Sequence, residues 1–300
     1  MPELPEVEIT ARRLGTALEG AEVESALAAG VATLKTFEPS LDALIGARIS
    51  GVRRIGKMLA VEFEPPPQNG LLLTEHPQMN GAGPLTLLVH LMSAGRLQVF
   101  DKRASLRDRR SRILVRIADG RELRLREFGT KQSAWAKLLA RDAVAADEMV
   151  ATLGPDAWPA PPLEEFAERL RQPRHLHPLL RDQRVIAGIG RSWVDEILWE
   201  AKLSPFKKGS ELSDEEVRAL HEALPALGKV IEHYEGVLGE AIPDRMPMPL
   251  RVHRREGQPC PRCGTTIEAV FFAEHQMNYC PKEQTGGRVL KDRRLSRLLK

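Results

Sequence analysis

The spacing of apolar residues divides the chain into helical and extended stretches. The apolar residues nearest the N-terminus recur at the helical period: Val7, Ala11, Leu14 and Leu18. Pro5 suits the first turn of this predicted helix, and Gly20 suits its end. Short stretches of β-type sequence follow, divided by Gly and Pro: Arg48–Ile55, Met58–Phe63, Leu85–Leu91, Arg96–Phe100, Ile113–Ile117 and Leu123–Leu125. The pattern predicts that residues 1–150 form a domain of one helix and several strands.

Residues 151–249 have the pattern of a helical domain. It begins at a proline-rich linker, Trp158–Pro162, which interrupts both helices and strands. Ser213 and Glu216 have the spacing of a capping box, and apolar residues recur behind them: Val217, Leu220, Leu224, Leu227 and Ile231. Pro225 lies inside this run, so we expect the helix to break there. Residues 250–284 hold the cysteines and a β-rich stretch, and residues 285–300 form a basic tail.

Composition narrows the class of protein. The chain has 300 residues, of which 42% are hydrophobic and 28% are charged, and it contains no long apolar run. We therefore expect no membrane helix. The N-terminus, MPELPEVEIT, lacks the apolar segment of a signal peptide, so we expect a cytoplasmic protein. The cysteine count is three, which excludes a fully paired set of disulfides.

Positive charge is concentrated locally, although the net charge is only +3. Residues 101–131 hold 11 Lys and Arg against 5 acidic residues, and the basic tail holds 6 against 1. One such run is typical of a solvated strand face. Two basic segments together with a cysteine motif favour a nucleic-acid partner.

The first residues carry the most specific chemistry. Removal of Met1 would leave Pro2 with an amine of pKa about 7.7–8.0, partly unprotonated at neutral pH. Such an amine can attack an aldehyde-level carbon and form an iminium. Glu3 and Glu6 are close enough in sequence to donate and accept protons beside it. The same residues also suit an ordinary helix start, so this segment alone leaves both interpretations open.

Several motifs follow in a fixed order and resemble those of one family. After MPELPEVE come Lys57 on a strand, Leu153-Gly154-Pro155, Gly188-Ile189-Gly190 before a helix, and Cys260-x-x-Cys263. This order resembles the formamidopyrimidine-DNA glycosylase / endonuclease VIII family of base-excision repair enzymes. The resemblance implies an α+β multidomain fold: an N-terminal β-sandwich, a helical helix–two-turn–helix domain and a C-terminal zinc-finger-like β-hairpin. Residues 1–150, 151–249 and 250–284 would be these three domains.

The resemblance also implies catalytic roles. Pro2 is similar to the nucleophile that attacks C1′ of the damaged nucleotide, and Glu3 to the general acid that helps expel the base. Glu6 is similar to the carboxylate that positions Pro2 and the sugar, and Lys57 to a lysine that contacts phosphate at the lesion. The implied reaction is base removal followed by β,δ-elimination, with the base flipped out of the duplex.

Further residues are implied to bind DNA, with departures from the family pattern. Gly190 and Arg191 would meet a phosphate at the start of a helix, although the family usually has Asn where Arg191 stands. Met92 and Phe128 would fill the gap left by the flipped base, and Arg126 would contact the backbone. Glu127 replaces an arginine in this motif. We expect it to weaken a phosphate contact, because a carboxylate repels phosphate.

The cysteine motif predicts a zinc site that lacks one ligand. Cys260, Cys263 and Cys280 match three ligands of a zinc ribbon, and Glu283 stands where the fourth cysteine would be. Glu283, His275 or His253 would complete the set. A hairpin held by packing alone is the alternative without metal. Near the tip, Glu274 takes a place where the family usually carries an arginine.

The sequence therefore predicts a monomeric DNA glycosylase and abasic-site lyase that binds Zn²⁺ and acts on double-stranded DNA. The alternative is a DNA- or lesion-binding member of the fold with weak or no base excision. Glu127, Arg191, Glu274 and the missing cysteine motivate this alternative. The segment between the helical domain and the finger, Gly236–Pro249, is short. Family members that recognise oxidised purines carry a long loop at this place, so the resemblance implies a preference for oxidised pyrimidines or for a substrate outside both groups.

Overall fold

The computed structural model describes residues 1–30, 32–66, 83–105, 108–130, 132–272 and 275–290. These residues form two compact units. The first consists of residues 1–151 together with residues 233–246, and the second consists of residues 152–232 together with the chain from Pro247 onward. Across the described residues, no helix combines the length and the apolar composition that a membrane crossing requires.

The first unit begins with helix α1 (Leu4–Leu18) and continues as antiparallel strands. The strands are β1 (Val23–Ala28), β2 (Arg48–Ile55), β3 (Met58–Glu64), β4 (Leu85–His90), β5 (Gly95–Phe100), β6 (Ser111–Ile117), β7 (Glu122–Glu127) and β8 (Trp135–Ala140). One sheet has the strand order β1-β6-β7-β5, and the other has the order β2-β3-β4-β8. Their apolar faces share one core, so the predicted β-sandwich is confirmed.

Helix α1 packs on this core through the stripe that its sequence predicts. Val7, Leu14 and Leu18 are buried together with residues of both sheets. Burying such side chains contributes about 1.5–3 kcal/mol each, which fixes the face that α1 presents. The start of the same helix carries the buried carboxylates of Glu3 and Glu6.

Two strands were not predicted from the sequence. Strand β1 reads VESALA and β8 reads WAKLLA, and both contain residues that favour helices or turns. Each pairs along most of its length with a strongly apolar strand, β1 with β6 and β8 with β4. Pairing with a buried neighbour overrides weak local preference.

The second unit is helical and ends in a hairpin. Its elements are α3 (Leu163–Leu170), α4 (Leu176–Leu180), α5 (Arg191–Glu200), α6 (Asp214–Ala223), β9 (Glu268–Phe272), β10 (His275–Tyr279) and α8 (Pro281–Thr285). Two further helices belong to the chain, α2 (Glu148–Ala151) in the first unit and α7 (Ala226–Val237), whose last residues join that unit. The capping box of Ser213 and Glu216 is present, and the break at Pro225 separates α6 from α7. Both predictions are confirmed.

Candidate active site and nucleic-acid interface

The N-terminal corner of the first unit gathers Pro2, Glu3 and Glu6, all of which are buried. Glu3 is the residue before α1, and it forms a reciprocal capping box with Glu6. Within it, the Glu3 N–H donates to Oε2 of Glu6 at 2.9 Å. The helix start thus holds two carboxylates beside the proline, because the same groups satisfy the first backbone amides of α1.

Tyr234 also contacts this corner, which the sequence did not predict. Its hydroxyl donates to Oε1 of Glu6 at 2.7 Å, and the tyrosine is 0% exposed. Burial, followed by the charge of Glu6, raises the pKa of the Tyr234 phenol above its usual range, so the phenol stays protonated. Arg96 on β5 faces Glu6 with a positive charge, although burial lowers the pKa of this guanidinium.

Lys57 lies in the turn of the β2–β3 hairpin and is 8% exposed, so its predicted place on a strand is wrong: Ile55 pairs with Met58, which leaves Gly56 and Lys57 to form the turn. Gly56 before it has a φ of 57°, a left-handed conformation that favours glycine. Arg54 ties this turn to α1, because its guanidinium donates to Glu8 at 2.9 Å and to the carbonyl of Gly56 at 3.1 Å. Burial, with a smaller effect of the Lys57 charge, lowers the pKa of His90 to about 4. His90 is therefore neutral at pH 7.

The two predicted wedge loops lie side by side. Met92 has a φ of 49° and donates its N–H to Nδ1 of His90 at 2.9 Å. Phe128 donates its N–H to the carbonyl of Ala94 at 3.2 Å, which joins its loop to the one that carries Met92. Both side chains are partly exposed. Two partly exposed apolar side chains on neighbouring loops are compatible with the predicted insertion of Met92 and Phe128 into a duplex.

Arg126 is held by the chain's own residues. Its guanidinium lies 3.1 Å from the Asp244 carboxylate and 3.2 Å from the Gln98 side-chain oxygen. Arg96 donates to the backbone carbonyl of Asp244 at 2.9 Å. A DNA phosphate at Arg126 would have to displace or join the Asp244 carboxylate.

Glu127 is buried, and its expected weakening of a phosphate contact stays a prediction. It is 4% exposed, and its Oε1 accepts hydrogen bonds from the N–H groups of Ser133 and Ala134 at 2.7 and 2.8 Å. The carboxylate organises the chain after Phe128. These hydrogen bonds join the carboxylate to backbone N–H groups inside the first unit.

The helix–two-turn–helix segment lies in the second unit. Gly188 has a φ of 98°, and its N–H donates to the side-chain oxygen of Gln183 at 2.9 Å. Gln183 also donates to the carbonyl of Ile189, which fixes the turn before α5. Gly190 is the residue before α5, and Arg191 is its exposed first residue. A helix N-terminus with an exposed guanidinium suits a phosphate.

The three cysteines form one cluster at the finger. Their Sγ atoms all lie within 4.8 Å of one another, and those of Cys263 and Cys280 are 3.4 Å apart. Burial raises the pKa of the Cys280 thiol to about 12, whereas a hydrogen bond from Thr265 lowers that of Cys263. Three sulfurs this close can surround one zinc ion, whose bonds to sulfur are about 2.3 Å. The three cysteines therefore fit three of the four ligand positions of a structural zinc site.

The candidates for the fourth zinc ligand differ in where they lie and in what they bind. Glu283 lies in α8, one turn beyond Cys280, and one of its oxygens is 3.5 Å from the Arg262 guanidinium. Its carboxylate is outside the cluster of described sulfur, nitrogen and oxygen ligands. His253 instead bonds to Asp195 at 2.7 Å. The side chain of His275, and the whole of Glu274, lie outside the described residues.

Helix α5 anchors the chain around the finger. Glu196 accepts hydrogen bonds from the consecutive N–H groups of residues 251–253 at 2.9–3.0 Å, and burial raises the pKa of this carboxyl. Asp195 accepts from the N–H of Asn278 in β10 at 3.0 Å. Trp199 donates to Sγ of Cys260 at 3.3 Å and lies between the guanidiniums of Arg251 and Arg262.

Three family models match successive parts of the chain. The model of the formamidopyrimidine-DNA glycosylase N-terminal domain matches residues 1–130, and that of the H2TH domain of the same enzymes matches residues 153–238. The model of the zinc finger found in FPG and IleRS matches residues 257–282. The three-cysteine cluster falls inside this last match, which suggests zinc binding.

Individual relatives match nearly the whole chain. A formamidopyrimidine-DNA glycosylase of Roseiflexus sp. (strain RS-1) is 32% identical over 95% of this chain and 100% of its own length. The Lactococcus lactis enzyme in complex with abasic-site DNA has a TM-score of 0.78 at 25% identity, over 94% of this chain and 99% of its own. Its complex with DNA containing an oxidised pyrimidine has the same TM-score at 27% identity, over 95% and 100%.

Proposed function

The chain belongs to the formamidopyrimidine-DNA glycosylase family, and we propose that it removes an oxidised or damaged base from double-stranded DNA and cleaves the resulting abasic site by β,δ-elimination. The family places it among the DNA glycosylases of base-excision repair. The finer steps are our proposal. The observation that carries them is the buried corner in which Pro2 adjoins the paired carboxylates of Glu3 and Glu6.

Base removal begins once Met1 has been cleaved and the Pro2 amine is exposed. The Pro2 nitrogen attacks C1′ of the flipped nucleotide, the bond from C1′ to the base breaks, and Glu3 supplies the proton that helps the base leave. The bond between C1′ and O4′ then breaks, the proton that the Pro2 nitrogen loses passes through Glu3 to O4′, and an iminium remains between Pro2 and C1′. Glu6 holds the Glu3 amide, and so sets the backbone beside the nucleophile.

Strand cleavage follows because the iminium withdraws electrons. Loss of a proton from C2′ expels the 3′ phosphate, and a second elimination expels the 5′ phosphate. Water then hydrolyses the iminium, which releases the sugar fragment and restores the Pro2 amine. We propose Lys57 as a phosphate contact at the lesion, because it lies in the hairpin turn that Arg54 ties to α1, the helix that follows Pro2.

DNA contacts are proposed on both units. Met92 and Phe128 would fill the space left by the flipped base, and Arg126 would bind the backbone after leaving Asp244. Gly190 and Arg191 would bind a phosphate at the start of α5. We further propose a monomer that acts in the cytoplasm on nucleoid DNA.

The finger would bind Zn²⁺ through Cys260, Cys263 and Cys280. We propose Glu283 as the fourth ligand, since α8 carries it one turn beyond Cys280, with His275 as the alternative. The ion would close the hairpin as a structural site and would take no part in the reaction.

The alternative function is DNA or lesion binding with weak or no base excision. Glu127 supports it less directly than the sequence suggested, because Oε1 of its buried carboxylate accepts two backbone amides. The pairing of Arg126 with Asp244 still favours weakened binding.

A panel of duplexes with oxidised purines and oxidised pyrimidines, scored by strand cleavage, would identify the substrate base.

Borohydride trapping with an abasic-site duplex tests the reaction. We expect a covalent adduct with protein whose mass shows that Met1 is absent. Pro2→Leu, which retains Met1 and so moves the terminal amine one residue away, abolishes the adduct, whereas the matched variant Pro5→Ala, in the first turn of α1, retains it. Glu3→Gln slows base excision more than cleavage of a preformed abasic site. Tight binding without any adduct from the native protein would contradict the enzyme and support the binding alternative.

A further inference from the structure

We propose that Tyr234 is a positioning residue that holds the Glu6 carboxylate in place for the reaction at Pro2. This inference rests on the proposed function and deepens it. The family motifs in the first residues say nothing about Tyr234, which lies 228 residues away from Glu6 in the chain. The proposal comes from the hydrogen bonds that meet at Glu6.

The two oxygens of Glu6 receive separate donors from opposite ends of the sequence. Oε2 accepts the N–H of Glu3 at 2.9 Å, and Oε1 accepts the hydroxyl of Tyr234 at 2.7 Å. Glu6 is 3% exposed and Tyr234 is 0% exposed, so bulk water does not compete for either bond. With a donor on each oxygen, rotation of the carboxylate breaks at least one buried hydrogen bond.

Tyr234 is itself fixed on the first unit. Arg12 of α1 pairs with the Glu235 carboxylate, and Arg13 donates to the carbonyls of Glu235 and Leu238 at 3.1 and 3.2 Å. Glu235 and Leu238 lie in the same segment of the first unit as Tyr234, residues 233–246. The phenol is therefore held against α1 at the turn that contains Glu6.

The charges around Glu6 define how Tyr234 acts. Arg96 faces Glu6 from β5, and the Glu3 carboxylate contributes negative charge near Tyr234. A protonated phenol that donates to Glu6 favours the charged form of the carboxylate. Because Glu6 holds the amide that follows Pro2, loss of this donor would disturb both the charge and the orientation of the group beside the nucleophile.

The test compares the two tyrosines of the chain. Tyr234→Phe removes the hydroxyl on Glu6, and Tyr279→Phe removes a fully buried hydroxyl that accepts the N–H of Leu290 at 2.7 Å in the second unit. We expect Tyr234→Phe to slow single-turnover borohydride trapping about tenfold, with unchanged affinity for the abasic-site duplex. The acid limb of its pH–rate profile should move to higher pH. Tyr279→Phe should leave that profile unchanged.

The outcomes separate this inference from the proposed function. A native protein without an adduct overturns the proposed reaction and the inference together. An adduct from the native protein, with the same rate and pH profile in Tyr234→Phe, overturns the inference alone. A rate loss without a shifted profile also overturns it, because that result describes a structural role.

A second measurement applies even if Tyr234→Phe does not fold. Fluorotyrosine incorporated into the intact chain gives one ¹⁹F resonance for each of the two tyrosines, and Tyr279→Phe assigns them. We expect Glu6→Gln to move the Tyr234 resonance and to leave the Tyr279 resonance in place. If the chemical shift of the Tyr234 resonance is the same in Glu6→Gln as in the native protein, the proposal is overturned.

Discussion

The N-terminal corner and the finger both hold reactive side chains, but they do so in different ways. In the corner, Glu3 and Glu6 are the candidate acid and supporting carboxylate, and they also cap α1. Structure and chemistry there depend on the same atoms. In the finger, the three thiols are the candidate ligands, whereas Asp195 and Glu196 of α5 hold the chain around them.

This difference explains how the finger can lack a fourth cysteine. The hydrogen bonds from residues 251–253 to Glu196 do not involve the metal ligands. The docking of the chain onto α5 is therefore supported by protein groups, and the metal site can weaken without releasing it. The corner has no such separation, so a change at Glu3 or Glu6 would affect both the helix start and the reaction.

The largest expected effect is the loss of the Glu196 carboxylate. Glu196→Ala would leave three consecutive N–H groups without their acceptor and would lower the free energy of unfolding by about 4 kcal/mol. Glu200→Ala is the matched control, because this α5 carboxylate pairs with Arg251 and Arg262 at a partly exposed site. We expect it to cost less than about 1 kcal/mol. Denaturant titration measures both, and equal losses would contradict the assigned anchor.

In the unit that contains the corner, acid sensitivity is expected at His90, the last residue of β4. Burial keeps His90 neutral, with a pKa of about 4 against 6.5 for the unperturbed side chain, and its Nδ1 accepts the N–H of Met92. Because the folded value is the lower one, this stability is fully present above pH 6.5 and is lost as pH falls towards 4. At pH 5 the loss amounts to about 2 kcal/mol.

His90→Asn tests this linkage, since the Asn oxygen can accept the same N–H without titrating. The variant should lose the part of the stability change between pH 7 and pH 5 that His90 causes. His233→Asn, at an exposed histidine, should keep the native pH dependence. Parallel stability curves for native protein and His90→Asn would contradict the assignment.

Local sequence patterns predicted those parts of the molecule that local interactions determine. The α1 stripe, the capping box at Ser213 and the helix break at Pro225 follow from residues within a few positions of one another. The candidate catalytic carboxylates belong to the same class, since Glu3 and Glu6 meet within one helical turn.

The sequence patterns did not predict contacts that depend on the folded chain. In the sequence, Tyr234 resembles one more apolar position of a helix and Asp244 resembles a loop residue. In the structure, Tyr234 contacts Glu6 and Asp244 contacts Arg126. Glu127 was interpreted from the arginine that it replaces in a family motif, and that comparison gave no sign that its partners are the backbone amides six and seven residues later. Tertiary folding decides such pairings, and no local spacing encodes them.

The smallest expected effect concerns the fourth place of the finger. Glu283→Cys would add a thiolate where the family motif has one, and we expect zinc affinity to rise about tenfold, or about 1.4 kcal/mol. Glu283→Gln is the control for loss of the negative charge and of the weaker oxygen ligand, and it should lower zinc affinity a few-fold. Competition with a chromophoric chelator measures both.

The two variants together identify what Glu283 contributes. Because Glu283 lies 3.5 Å from Arg262, its carboxylate must exchange that partner for the metal, which limits its strength as a ligand. A neutral thiol at this position leaves Arg262 with its contacts to Trp199 and Glu200, so the substitution need not disturb the hairpin. If Glu283→Gln binds zinc as tightly as the native protein, Glu283 is not a ligand. If Glu283→Cys fails to gain affinity, α8 holds this position too far from the three sulfurs to close the site.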